Sequence, residues 1–173
     1  SMTMDISNQS KLSEFYEELK RMEVNVIRPD INKCFADFRT VDEKFYYALG
    51  GIKAVGFEAI SNIINEREKG VFKDLFDFFI RMNSRSTNKK AFESLILGGA
   101  FDQFTNGHRS IFFDLNEKKQ QTFLEILIKF SALYRQSQNA PVLFSGDENI
   151  KNPDVPICEE WSLLEKLRNE KKV

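Results

Sequence analysis

A glycine-bearing segment in the middle of the chain has the residue types of a phosphate-binding turn. The segment is Leu49-Gly-Gly-Ile-Lys-Ala-Val-Gly-Phe57, in which Ile52 and Val55 are apolar anchors and Lys53 is a cation. Gly56 can adopt a positive φ or allow another group to approach closely. We expect a helix to follow at once, so that backbone N–H groups around Gly56 point outward at a helix N-terminus, where an anion is favoured.

Two interpretations of this segment stay open. Backbone donors at a helix end read phosphate spacing and not base sequence, which predicts contact with a DNA backbone. The alternative is an ordinary tight turn between helices. A nucleotide-binding P-loop is excluded because no Gly-Lys-Ser/Thr follows, and a dinucleotide fingerprint because the glycine spacing is wrong. We predict that Leu49–Glu68 forms a helix-hairpin-helix, with Ala59 and Ile60 where its helices pack closely.

Other ionisable residues do not form a set that indicates catalysis or metal binding. Asp74 and Asp77 lie three apart beside apolar residues, which is typical of the polar flank of an amphipathic helix. Glu17 and Glu18 are interpreted as a solvated helix face. His108 is the only histidine, and a nucleophile–base pair or a metal site would need partners, so an exposed neutral imidazole is expected. We expect no catalytic residue, no metal ligand and no cofactor in this chain.

Charge is balanced overall but uneven along the chain. The 25 basic and 26 acidic side chains argue against a protein that coats nucleic acid or membrane by bulk charge. Residues 44–110 contain 10 basic and 7 acidic side chains, so an anionic partner is expected to meet this middle third. Cys34 and Cys158 are expected to be reduced thiols, as in the cytoplasm. No membrane span and no signal peptide is visible, and the leading Ser-Met is typical of an expression remnant.

Hydrophobic spacing predicts a mainly α fold with a small N-terminal α+β piece and a polar C-terminal linker. Helices are predicted over residues 8–22, 57–69, 72–82, 89–97, 108–116, 117–135 and 160–171. Extended pieces are predicted at Glu23–Ile27, Phe35–Phe38 and Lys44–Leu49, the last two pairing as a sheet. The predicted inward positions of the first two central helices are Phe57, Ile60, Ile63 and Ile64, then Phe72, Leu75, Phe76, Phe79 and Ile80.

Residues that cap or terminate helices mark the expected ends of these elements. Asn88 is expected to cap one helix, and Gly70 and the pair Gly98-Gly99 are expected to end two others. Residues 136–158 are rich in Gln, Ser, Asn, Pro, Gly and Asp, and they are interpreted as a mobile linker. We draw boundaries at 1–45, 46–135, 136–158 and 159–173.

Several short sequence motifs, taken in their order and spacing, resemble those of one protein family. They are Arg28-Pro-Asp-Ile-Asn32, Phe35-Ala-Asp-Phe38, the segment ending at Gly56, Phe72-Lys-Asp-Leu-Phe-Asp-Phe78, Asn88-Lys-Lys, and Glu93-Ser-Leu-Ile-Leu-Gly-Gly-Ala-Phe-Asp102. Together they resemble the alpha subunit of bacterial replicative DNA polymerase III, a C-family polymerase. The resemblance implies that 1–45 is the end of the fingers domain and that 46–135 is a helix-hairpin-helix domain gripping duplex DNA behind the active site.

The resemblance carries DNA-contacting roles onto particular residues. Gly51, Lys53 and Gly56 are the expected phosphate contacts, while Asn88, Lys89 and Lys90 are a second contact and Arg109 a third. The family also has a clamp-binding peptide of the type Gln-x-x-Leu/Met-Phe beyond this domain. Val142, Leu143 and Phe144 match its apolar end, but Ala140 stands where the Gln belongs.

The implied function is that of a non-catalytic part of a replicative polymerase. The resemblance implies duplex DNA, the sliding clamp (the beta subunit) and other replicase subunits as partners, with no membrane partner and a bacterial cytoplasmic location. The parent enzyme would be a DNA-directed DNA polymerase that needs Mg²⁺, with its catalytic aspartates N-terminal to this region. Two alternatives remain: a protein-interaction or spacer module without DNA contact, and the helix-hairpin-helix part of a DNA-repair protein.

Overall fold

A computed structural model describes residues 25–82, 87–139 and 150–173, together with Glu14, Glu17 and Glu18. The strands are β1 (Asn25–Ile27), β2 (Arg39–Val41), β3 (Lys44–Tyr46), β4 (Leu115–Asn116) and β5 (Gln121–Thr122). The helices are α1 (Phe57–Glu68), α2 (Leu75–Arg81), α3 (Lys89–Leu97), α4 (Asp102–Thr105), α5 (Phe123–Gln138) and α6 (Leu163–Glu170). Single 3-10 turns lie at Leu49–Gly51 and Ser110–Phe113. The mainly α fold with a small β component is confirmed.

Two predicted elements are described only in part. The helix over 8–22 is represented only by Glu14, Glu17 and Glu18, which are helical and exposed, as expected of a solvated face. The linker over 136–158 is described at its two ends. Helix α5 runs through Gln138, and residues 150–158 form neither helix nor strand.

The small sheet has a different composition from the predicted one. β3 is central, parallel to β1 and antiparallel to β2, in the order β1-β3-β2. The extended piece at Phe35–Phe38 is therefore not a sheet strand, and that prediction is wrong. Its carbonyls instead accept hydrogen bonds from Leu49 and Gly50, at 2.8 and 3.0 Å. This segment holds the start of the glycine-bearing turn in place.

The core is built largely from phenylalanine rings around α2. Phe78 is fully buried, and its ring centroid lies 4.8 Å from that of Phe101 and 4.9 Å from that of Phe72, both edge-on. The sequence pattern missed Phe78 and chose Phe76, which is only partly buried. Helix α5 packs against α2 and buries Phe123, Leu124, Leu127 and Phe130. Burial of this aromatic surface stabilises the fold.

Helix starts follow the capping residues. Asn88 accepts a hydrogen bond from Ala91 N at 2.9 Å, which confirms its predicted cap. The helix predicted from residue 117 begins at Phe123, because residues 115–122 form a two-stranded hairpin and Thr122 makes a capping box with Glu125. In the C-terminal segment Ser162 caps α6 in the same way, and the Trp161 ring stacks on Phe113 with centroids 5.5 Å apart.

Candidate nucleic-acid interface

The glycine-bearing turn joins a short 3-10 turn to α1. Ile52 and Val55 are buried and anchor it, whereas Lys53, Ala54 and Gly56 are exposed between and beside them. The first helix of the predicted hairpin is thus only one 3-10 turn, Leu49–Gly51. The alternation of anchors and exposed residues agrees with the sequence interpretation, and it leaves the tip of the turn open to solvent.

The glycines of this turn serve purposes other than those predicted. Gly56 has φ −71° and ψ 158°, and a Cβ placed there would meet nothing within 4 Å. The left-handed residue of the turn is Ala54, with φ 65°. The close approach is made by Gly50, where a Cβ would lie 2.8 Å from the Ala36 carbonyl oxygen. Gly56 therefore does not use the positive φ that its residue type allows, and the space in front of it is open.

Gly51 is a packing residue. It is buried, and a Cβ there would contact the rings of Tyr47 and Phe38 at 3.4 and 3.6 Å. Its N–H already donates to the Ala48 carbonyl oxygen at 3.1 Å. Because that donor is used inside the protein, the geometry does not support Gly51 as a phosphate contact.

The start of α1 presents donors that the helix itself cannot satisfy. The first intrahelical bond runs from Ile60 N to Gly56 O, so the N–H groups of Phe57 and Glu58 precede the hydrogen-bonded ladder. Gly56 has no side chain with which to cap them. Lys53 is fixed by its own backbone, since its N–H donates to the Val173 oxygen at 3.2 Å. This arrangement can bind an anion through the helix end and one cation, although the Glu58 carboxylate opposes it.

The second predicted DNA contact consists of Asn88, Lys89 and Lys90, and two of these side chains already have partners within the protein. The Asn88 side chain is occupied as the α3 cap, and Lys89 Nζ lies 2.6 Å from Glu125 and 3.8 Å from Glu93. The hydrogen bond to Glu125 raises the pKa of Lys89. Lys90 is exposed and makes no salt bridge within the described part of the chain. Of the three residues, Lys90 is the one whose charge is available to a partner.

Arg109 is a structural residue, which corrects its predicted DNA contact. Its side chain is 3% exposed, and Nε and Nη2 donate to the Asp102 carboxylate at 2.9 and 2.7 Å. Nη1 donates to Glu170 at 2.8 Å and to the Leu97 carbonyl at 3.1 Å. A guanidinium enclosed by two carboxylates is already neutralised, so it does not attract a phosphate.

A second glycine turn, between α3 and α4, packs against the first. Gly99 has φ 87°, and a Cβ there would lie 2.6 Å from Arg109 Nη2. A Cβ on Gly98 would lie 3.3 Å from the Ile52 side chain, so the two turns touch. The sequence interpretation treated Gly98 and Gly99 only as a helix end. Their match to the earlier Gly-Gly pair was the signal that a second turn of this kind was present.

Asp74 and Asp77 have structural partners, and Asp74 is the residue before α2 and not part of its polar flank as predicted. Asp74 accepts from Asp77 N at 2.7 Å as the cap of α2, and Asp77 lies 3.3 Å from Arg81. Within the described ranges, no group of three or more His, Cys, Asp or Glu is placed to hold a metal ion.

His108 is half-buried, with Nε2 3.8 Å from Cys158 Sγ, rather than fully exposed as expected. No helix among the described residues is long and apolar enough to cross a membrane.

Comparison with known proteins places this geometry in context. The helix-hairpin-helix motif family matches residues 23–111, which include both glycine turns. The chain is similar to the DNA polymerase III subunit alpha of Borreliella burgdorferi, at 39% identity over 100% of this chain and 15% of that protein. It is 32% identical to the proteins of the same name from Caulobacter vibrioides and Deinococcus radiodurans, over 98% of this chain. The chain spans 14% and 12% of the lengths of those two relatives.

Proposed function

Because the chain belongs to the DNA polymerase III alpha-subunit family and contains its helix-hairpin-helix motif, we propose that it binds the backbone of duplex DNA without sequence preference. In this proposal it supports processive replication by a DNA-directed DNA polymerase. Nucleotidyl transfer and its Mg²⁺ ions belong to residues outside this chain. The observation that carries the proposal is the uncapped N-terminus of α1 beside the exposed Lys53.

The proposed contact centres on the turn from Lys53 to Glu58. The N–H groups of Phe57 and Glu58 donate to one phosphate, and the Lys53 ammonium adds a point charge. Gly56 matters because it has no polar side chain that would accept from these donors in place of the phosphate. Lys90 supplies a weaker second contact at the start of α3. Since these donors meet only phosphate oxygens, the contact carries no sequence information.

A sliding-clamp contact is the second part of the proposal. Val142, Leu143 and Phe144 lie outside the described residues, so their case rests on the sequence resemblance alone. The apolar triplet would insert into a hydrophobic pocket of the beta subunit, as extended peptides do. Capture of the full chain by an immobilised clamp tests it. Phe144→Ala should abolish capture, whereas unchanged capture would remove the assignment.

Fluorescence anisotropy with a labelled duplex tests the DNA contact. We expect salt-dependent binding that is equal for unrelated sequences, because phosphate contacts release counterions. Lys53→Glu should weaken binding about tenfold or more at low salt. Lys118→Glu, an equal charge change at an exposed residue of the β4–β5 turn, is the matched control and should have little effect.

Two outcomes would contradict the proposal. Absence of duplex binding at low salt would remove DNA contact and favour a spacer module. Equal losses for Lys53→Glu and Lys118→Glu would show a general charge effect and remove the turn from the interface.

A further inference from the structure

Phe57 is an exposed aromatic residue inside the proposed interface. Its side chain is 81% exposed, although helical spacing from Ile60 and Ile63 predicted an inward position. That prediction is wrong: Phe57 is the first residue of α1, and the buried side chains of this helix begin at Ala59. Every other phenylalanine among the described residues is at least partly buried. Among the residues that the structure describes, the ring therefore has no packing role that accounts for it.

We propose that Phe57 packs against the deoxyribose next to the phosphate bound by α1, so that duplex binding has an apolar component. This inference rests on the proposed function. In this proposal the backbone N–H of Phe57 donates to that phosphate, and the ring begins at Cγ, three bonds from that nitrogen. Each phosphate of a DNA strand is bonded directly to the deoxyribose on either side of it. A ring that begins this close to the donor therefore lies beside one of these sugars.

The deoxyribose is a better occupant than a base. In a duplex the bases are stacked, and an aromatic side chain reaches them only if a base is unstacked or extruded. The sugar presents its apolar edge at the surface, beside the phosphate, without any distortion of the DNA. The uncapped helix end binds a phosphate of an intact strand, so the group that meets Phe57 first is the sugar.

Local charge supports an apolar contribution. The exposed side chains of this turn include Lys53 but also Glu58, so their charges nearly cancel at the contact. DNA binding that depended on charge alone would be weak at this turn. Burial of an exposed phenyl ring against a sugar adds affinity that does not depend on the local charge. The same burial explains why an apolar ring is left in solvent at this position.

The experiment measures binding of the full chain to a labelled duplex at several salt concentrations. Phe57→Ala should weaken binding about fivefold at every salt concentration, because it removes apolar contact and no ion pair. The slope of log K against log salt should stay unchanged. Phe57→Leu should keep most of the affinity. Val71→Ala, at another exposed apolar residue beyond the opposite end of α1, is the control and should bind like the parent chain.

The outcomes separate this inference from the proposed function. If Lys53→Glu weakens binding and Phe57→Ala does not, the role of Phe57 is overturned while the DNA contact stands. If neither variant matters, the proposed function itself has failed. If Phe57→Ala weakens binding to single strands much more than to the duplex, the ring stacks on bases and the sugar contact is wrong. Thermal unfolding of each variant checks that the fold is retained.

Discussion

Arg109 and Glu170 lie 61 positions apart in the sequence, and their side chains meet at 2.8 Å. The same guanidinium holds Asp102 at the start of α4. The C-terminal helix is therefore attached to the second glycine turn through one buried cation. Since Val173 accepts from Lys53 N, the C-terminal residues also contact the first turn. The two turns and α6 support one another.

Replacement of Arg109 should destabilise the fold. Arg109→Met removes the shared cation and leaves the partly buried Asp102 and Glu170 carboxylates without it. We expect a loss of about 2–3 kcal/mol in the free energy of unfolding, measured by urea denaturation. Arg168→Met, at an exposed residue of the same C-terminal helix, should cost about 0.5 kcal/mol or less. Equal losses at the two positions would contradict the structural role of Arg109.

Gly99 should tolerate no side chain. Gly99→Ala combines a positive φ with a Cβ placed 2.6 Å from Arg109 Nη2. We expect it to cost about 3 kcal/mol of unfolding free energy. Gly70→Ala shares the positive φ, but a Cβ there meets nothing within 4 Å, so it should cost only about 1–2 kcal/mol. Urea denaturation of both variants measures the difference, and a smaller effect at Gly99 would be inconsistent with the packing described above.

Gly56→Asp should separate stability from DNA binding. The new carboxylate caps the free N–H groups of α1, which should raise the free energy of unfolding by a few tenths of a kcal/mol relative to glycine. The same carboxylate occupies the proposed phosphate position, so duplex affinity should fall about tenfold or more. Gly56→Ala leaves the donors open and should bind within about threefold of the parent chain. A Gly56→Asp variant that binds normally would show that the start of α1 is not the contact.

Cys34 should make stability fall at alkaline pH. Burial raises the pKa of its thiol from 9.0 to about 11, and Sγ donates to the Arg28 carbonyl oxygen at 3.1 Å. The unfolded thiol ionises near 9, before the folded one, so the stabilisation is complete below pH 9 and is lost as pH rises towards 11.

The Cys34→Ala variant isolates this effect from the lysines and tyrosines that titrate in the same range. Urea denaturation at pH 8 and pH 10.5 should show a smaller loss of stability for the variant than for the parent chain. An identical loss in both proteins would mean that the buried thiol does not contribute to the pH dependence.

Local signals in the sequence were sufficient for much of the fold. Asn88 and Gly70 mark helix ends through contacts within a few residues, and both were predicted. Features that depend on residues distant in the sequence were not predicted. The pairing of β3 with β1 and β2, the burial of Phe78 and the enclosure of Arg109 by Asp102 and Glu170 depend on the folded chain. Gly56 does not adopt the positive φ that its residue type allows, because the left-handed conformation of the turn belongs to Ala54.

Trp161 is the only tryptophan in the chain, and its indole ring stacks on Phe113 at an interplanar angle of 17°. Phe113 belongs to the 3-10 turn before the β4–β5 hairpin, whereas Trp161 introduces α6. The tryptophan fluorescence of the protein thus comes from the place where its C-terminal segment meets the helical body. Excitation of this single chromophore reports detachment of that segment without any attached dye.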